Sequence, residues 1–114
     1  MNIALEHIGI PAADPAVLKR WYEQVLGACT IWESREIPPA YLLAFPGGGW
    51  LEIYAAEEKQ PTPGNNNLQG FRHLALRVES LAAAKAEATR RGVVFTKEPG
   101  PAAGGGTVQY FADP

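Results

Sequence analysis

The chain has two histidines, His7 and His73, and each sits inside a short apolar run, LEHIGI and FRHLALRV. Glu52 sits in the same way inside WLEIYA. Runs of this kind read as β-strands, in which successive side chains point to opposite faces. Alternation puts Leu5, His7 and Gly9 on one face of the first run, opposite Ile8 and Ile10. It groups Phe71, His73, Ala75 and Arg77 against Leu74, Leu76 and Val78, and Trp50, Glu52 and Tyr54 against Leu51 and Ile53. Each strand thus has an aliphatic face to bury and a face with one strong polar group near its middle. A carboxylate on a concave sheet interior is costly unless it is paired or bound to a cation. Two imidazoles and a carboxylate are a donor set for a divalent metal: Zn, Ni, Fe, Mn or Co. Arg77 and Tyr54 share faces with His73 and Glu52 and are candidates to hold an anionic or aromatic substrate. Trp32, Trp50 and Tyr41 are candidates to line an apolar pocket.

The elements that must position these groups come in a repeating order. After the first strand, DPAVLKRWYEQVLG reads as a helix, with Asp14 as N-cap, Pro15 in the first turn and Gly27 at the C-terminal cap. Val17, Leu18, Trp21, Tyr22, Val25 and Leu26 form its apolar face. TIWESREI, YLLAF and WLEIYA follow as strands, which makes the first unit β-α-β-β-β. A polar stretch over residues 57–70, rich in Pro, Gly and Asn, reads as a linker. The order then restarts. FRHLALRV is a strand, SLAAAKAEATRRG a helix capped by Ser80 and Gly92 with Leu81, Ala84 and Ala88 as a stripe, and VVFTKEP and TVQYFA are strands. His7 maps to His73, Asp14 to Ser80 and Phe45 to Phe111 at one shift of 66, which is the mark of a tandem repeat. The expected modules are residues 1–56 and 71–114.

Composition narrows the classes. At 114 residues the chain is one domain, and its 46% apolar and 19% charged residues suit a globular protein. A net charge of −2 offers no basic field for nucleic acid or an anionic membrane surface. No apolar run is long enough to span a bilayer, and the N-terminus lacks the pattern of a signal peptide. Cys29 is the only cysteine, which excludes an internal disulfide. The expected setting is the cytoplasm. The Gly104–Gly106 run is not a phosphate loop, because no Lys-Ser/Thr follows it.

LEHIGI, WYEQVLGA, WLEIYA, GFRHLALRVESL, RGVVFTKEPG and the final YFADP together cover nearly the whole chain. They resemble the vicinal-oxygen-chelate superfamily, the glyoxalase, bleomycin-resistance and extradiol-dioxygenase group. The resemblance implies an α+β fold of two tandem βαβββ modules, whose curved mixed sheets form a cleft around a divalent metal. His7, Glu52 and His73 match three ligand positions of the metal-dependent members. Those members usually continue past the FADP-like turn into a strand with a glutamate ligand. The repeat places the counterpart of Glu52 about four residues beyond Pro114, so the last strand of module two is expected to be missing from this chain.

The reaction implied is a proton transfer, of lyase or isomerase type, on a small metabolite that chelates the metal through adjacent oxygens. Glu52 is the candidate catalytic carboxylate. The resemblance leaves two other functions open: a metal-free protein that sequesters an aromatic or cationic ligand, and an extradiol dioxygenase. It also implies a homodimer, in keeping with the open sheet edge that a missing strand would leave.

Overall fold

The computed structural model describes residues 1–59, 64–65 and 67–114. Its elements are β1 (His7–Ala12), α1 (Pro15–Leu26), β2 (Cys29–Glu33), β3 (Tyr41–Ala44), β4 (Trp50–Ala55), α2 (Leu81–Arg90), β5 (Gly100–Pro101) and β6 (Thr107–Val108). The expected linker over 57–70 lies partly outside the described residues.

Helix α1 forms where its caps place it. The Asp14 carboxylate accepts the Val17 N–H at 3.0 Å, and Gly27 closes the last turn in the left-handed region at φ 71°. The N–H groups of Gly27 and Ala28 donate back to Glu23 and Tyr22, so the final carbonyls are not left unpaired. Leu18, Tyr22 and Val25 are the buried face.

Beside α1 lies a mixed four-stranded sheet in the order β1-β4-β3-β2. Strands β2, β3 and β4 are antiparallel neighbours, with an irregularity in β2 between Thr30 and Trp32. Strand β1 runs parallel to β4, pairing His7 with Trp50, Gly9 with Glu52 and Pro11 with Tyr54. Leu43, Leu51 and Ile53 are fully buried, and with Leu18 and Tyr22 they make the core between sheet and helix.

The second half departs from the expected repeat. Helix α2 is there, with the Ser80 hydroxyl accepting the Ala83 N–H at 3.2 Å. It ends at Arg90 with Arg91 as C-cap, one residue before the expected Gly92, which follows at φ 94°. None of its residues is buried. Residues 71–78 form no paired strand, and neither does VVFTKEP; of TVQYFA only Thr107–Val108 is a strand (β6), paired with Gly100–Pro101 (β5) from the glycine-rich stretch expected to be a flexible connection. In the first half, by contrast, β1 is held in its sheet by β4, its one partner among the described residues.

Two polar joints and one aromatic cluster seat the second half on α1. The Arg91 guanidinium donates to the carbonyls of Gln24 at 3.2 Å and Val25 at 3.1 Å, in the last turn of α1. A cation there complements the negative end of the helix. The Tyr22 hydroxyl donates to the Asp113 carboxylate at 2.6 Å. Phe111 lies between Trp21 and Phe95, at 6.1 and 5.6 Å between ring centres. No helix among the described residues is long and apolar enough to cross a membrane.

Candidate metal centre on the open sheet face

One face of the sheet is covered by α1; the other is open. Residues paired across strands share a face, so His7, Gly9 and Pro11 lie with Trp50, Glu52 and Tyr54 on the open side. Leu42 sits opposite Glu52, and Trp32 opposite Leu42. Trp32, Trp50 and Tyr54 are exposed there. Tyr41 is not among them. Its pairing with Ile53 puts it on the helix side, 6% exposed, with the Lys19 ammonium over its ring. The expectation that Tyr41 lines a ligand pocket is corrected accordingly: it is a core residue.

His7 and Glu52 meet on this face. His7 Nε2 is 3.6 Å from Glu52 Oε2, and the side chains are 37% and 36% exposed. The other ring nitrogen, Nδ1, is 2.8 Å from Glu6 Oε2. A carboxylate oxygen only accepts, so Nδ1 carries a proton donated to Glu6. The Nε2 lone pair of a neutral ring would then face a second carboxylate. Two electron-pair donors on one side of a sheet face are an arrangement to which a cation can bind. Ligand atoms about 2.1 Å from a tetrahedral ion stand about 3.4 Å apart, and the observed 3.6 Å fits two donors to one such ion. A carboxylate behind a ligating imidazole also fixes its tautomer and raises its basicity.

His73 is not drawn into this pair. Among the described residues no group of three His, Cys, Asp or Glu side chains is placed to hold a metal. The His73 ring stands edge-on to Tyr110, with ring centres 6.4 Å apart. Its segment nevertheless borders β1. One groove of about 190 Å³ has Leu5, Glu6 and Ile8 on one side and Leu74, Ala75 and Leu76 on the other. A second, of about 370 Å³, has Gly9, Ile10 and Pro11 facing Phe71 and Arg72. The segment therefore shares two grooves with β1, and His73 lines neither of them. Arg77 is exposed beyond them.

Two contributors escaped the strand alternation, and a third, Gly9, was placed by it on the His7 face but given no role. Glu6 follows the wrong parity to share a face with His7, but β1 begins at His7 and alternation does not bind the residue before it. Arg72 has the parity of the aliphatic side, yet its segment joins no sheet and it lines the second groove. Gly9 offered no side chain to notice. A Cβ built on it would lie 3.1 Å from Tyr54 Cε1 and 3.7 Å from Glu52 Oε2.

Residues 4–114 match the family model of the Glyoxalase/Bleomycin resistance protein/Dioxygenase superfamily, and the chain belongs to that superfamily. Solved structures agree in fold. A glyoxalase family protein from Enterococcus faecalis superposes with a TM-score of 0.80 at 23% identity, covering 97% of this chain and 90% of that one. The genomically encoded fosfomycin resistance protein FosX from Listeria monocytogenes, in its monoclinic form at pH 6.5, gives 0.76 at 21% identity, over 99% and 84% of the two chains. A FosX mutant complexed with Mn(II) and 1S,2S-dihydroxypropylphosphonic acid gives 0.68 at 20% identity, over 99% and 83%. No match was found among curated proteins.

Proposed function

We propose that the chain is a metal-dependent enzyme of the glyoxalase type, a lyase or isomerase acting on a small metabolite with adjacent oxygens. The observation that carries this reading is the His7–Glu52 pair, 3.6 Å apart on an open sheet face and backed by Glu6. His7 and Glu52 supply two donors, and His73, in the segment alongside β1, supplies the third. The Mn(II) in the FosX complex supports a divalent ion in this fold. When bound, such an ion polarises a substrate oxygen and stabilises the negative charge that develops on it. The chain's own work is to hold and move. The two histidines fix the position, Glu52 carries a proton at the carbon next to the polarised oxygen, and Trp50, Tyr54 and Trp32 line the approach.

The expected working form is a cytoplasmic homodimer built from modules of residues 1–56 and 71–114. Its support is the sheet: among the described residues β1 pairs with β4 and β2 with β3, which leaves an outer edge of each open to a second chain.

Metal titration by calorimetry, with Mn(II), Zn(II), Ni(II), Fe(II) and Co(II), tests the reading. The expected result is one tightly bound ion per chain, lost in His7→Ala and in His73→Ala. In the loaded enzyme, full turnover by Glu52→Gln would remove Glu52 from the proton-transfer role. A second reading rests on the lack of a three-donor group among the described residues: a metal-free protein that sequesters an aromatic or cationic ligand on the Trp32, Trp50 and Tyr54 face. Wild type that takes up no ion would favour it.

A further inference from the structure

Residues 110–113 join parts of the molecule that are far apart in sequence. Tyr110 meets His73 edge-on, with ring centres 6.4 Å apart and planes at 89°. The next residue, Phe111, lies between Trp21 of α1 and Phe95. Asp113 accepts the hydrogen bond of the Tyr22 hydroxyl at 2.6 Å. Tyr22 is the fixed end of this bridge. It is buried in the core with Leu43, Leu51 and Ile53, and its ring packs edge-on against Trp21 and Phe45. A close-packed core holds such a side chain in one rotamer, so the hydroxyl is presented in one place. Asp113 and Tyr110 are three residues apart, a span of at most about 11 Å, so anchoring one confines the other. His73 depends on confinement of this kind. Its segment, residues 71–78, is held in no sheet among the described residues, so no ladder of backbone hydrogen bonds sets the imidazole against β1.

We propose that Tyr22 and Asp113 are positioning residues for His73. Their hydrogen bond seats residues 110–113 on α1, and Tyr110 carries that seat to the imidazole. This rests on the metal-centre reading above, in which His73 is the third donor, and adds what sets its place relative to His7 and Glu52. Tyr22 and Asp113 act through Tyr110. A hydrogen bond to a carboxylate favours the seated segment over the unseated one by a factor of about ten or more. Removing it lowers the fraction of chains in which His73 is held in place, and a ligand that needs the held form loses affinity by that fraction.

The test reads His73 directly, by NMR on the metal-free full chain well below its melting temperature. In wild type the ring protons of His73 and Tyr110 should show a nuclear Overhauser contact. Tyr22→Phe and Asp113→Ala should lose most of it and shift the His73 ring resonances, while those of His7 stay in place. Asp113→Asn keeps an oxygen that accepts from the Tyr22 hydroxyl and should keep most of the contact. Because Tyr22→Phe and Asp113→Ala remove one joint, the double variant should match either single. Ile53→Val loosens the same core without touching the joint and should leave His73 unshifted, which separates positioning from stability. A His73 ring that keeps its shifts and its contact in both Tyr22→Phe and Asp113→Ala overturns the proposal. Calorimetric titration of the same proteins with Mn(II) is the second arm. Affinity should fall about tenfold in Tyr22→Phe and Asp113→Ala and stay within about twofold of wild type in Asp113→Asn. Full Mn(II) affinity in both damaged variants overturns the positioning role and leaves the metal centre standing. Wild type that takes up no Mn(II) overturns the metal centre instead, and the NMR arm alone then decides whether the joint holds His73.

Discussion

Replacing Tyr22 by Phe removes one oxygen from the joint between the two halves. Tyr22 is 3% exposed, and its hydroxyl donates to Asp113 Oδ2 at 2.6 Å. A hydrogen bond to a charged group contributes about 2 kcal/mol, and its loss leaves a carboxylate oxygen without its donor. For a chain of this size that lowers Tm by about 8 °C. The same contact sets a pH dependence. Burial, then the hydrogen bond to Asp113, then that carboxylate's negative charge push the Tyr22 phenol well above its ordinary range. Below pH 10 the phenol keeps its proton in both folded and unfolded chains, and its contribution is fully present. Above pH 10 the unfolded chain releases the proton and the folded chain retains it, so stability falls as pH rises. The other titrating groups are common to wild type and Tyr22→Phe and cancel in their difference. The advantage of wild type should thus shrink by about 1.4 kcal/mol between pH 8 and pH 11. Urea unfolding of both proteins at the two pH values measures it. A Tyr22→Phe protein that melts within about 1 °C of wild type, with a gap that does not change with pH, would refute the reasoning.

Leu51→Ala empties a fully buried site between β4 and α1 and should lower the unfolding free energy by about 2–5 kcal/mol in denaturant titration. Arg91→Ala leaves the last-turn carbonyls of α1 without the guanidinium that binds Gln24 and Val25. It should cost about 1–3 kcal/mol, and Arg91→Lys should restore little, because a single ammonium does not reproduce the planar fork. Glu6→Gln weakens the support behind His7 Nδ1 and should lower metal affinity about 10–100-fold while Tm stays near wild type.

Helix α1 and the His7–Glu52 face were legible in the sequence because each rests on local rules. Asp14 and Gly27 are caps that need no partner beyond their own helix. The face follows from a period of two in which Leu51 and Ile53 alternate with Trp50, Glu52 and Tyr54. Tyr41 shows where parity fails. In YLLAF both faces are apolar, so alternation cannot say which side meets the helix, and the antiparallel register with β4 decides it. Residues 71–78 show a second limit. Their pattern is that of a strand, but a strand is a relation between two segments, and no pairing holds this one in a sheet. Leu76 and Val78, read as a face to be buried, are exposed for that reason. The superfamily was legible, since the quoted segments lie within the matched residues 4–114. Whether His73 meets His7 is a long-range relation that strand alternation does not carry, and among the described residues the two belong to no three-donor group.

The parallel pairing of β1 with β4 also fixes an order of events during synthesis. Strand β1 is made before β4, its partner among the described residues and the last strand of its half. Until Ala55 has emerged and the hairpin of β3 and β4 has formed, His7 and Glu52 belong to separate pieces of chain. Loop closure over so long a separation comes late in folding. The imidazole and carboxylate therefore become neighbours only when β4 pairs with β1.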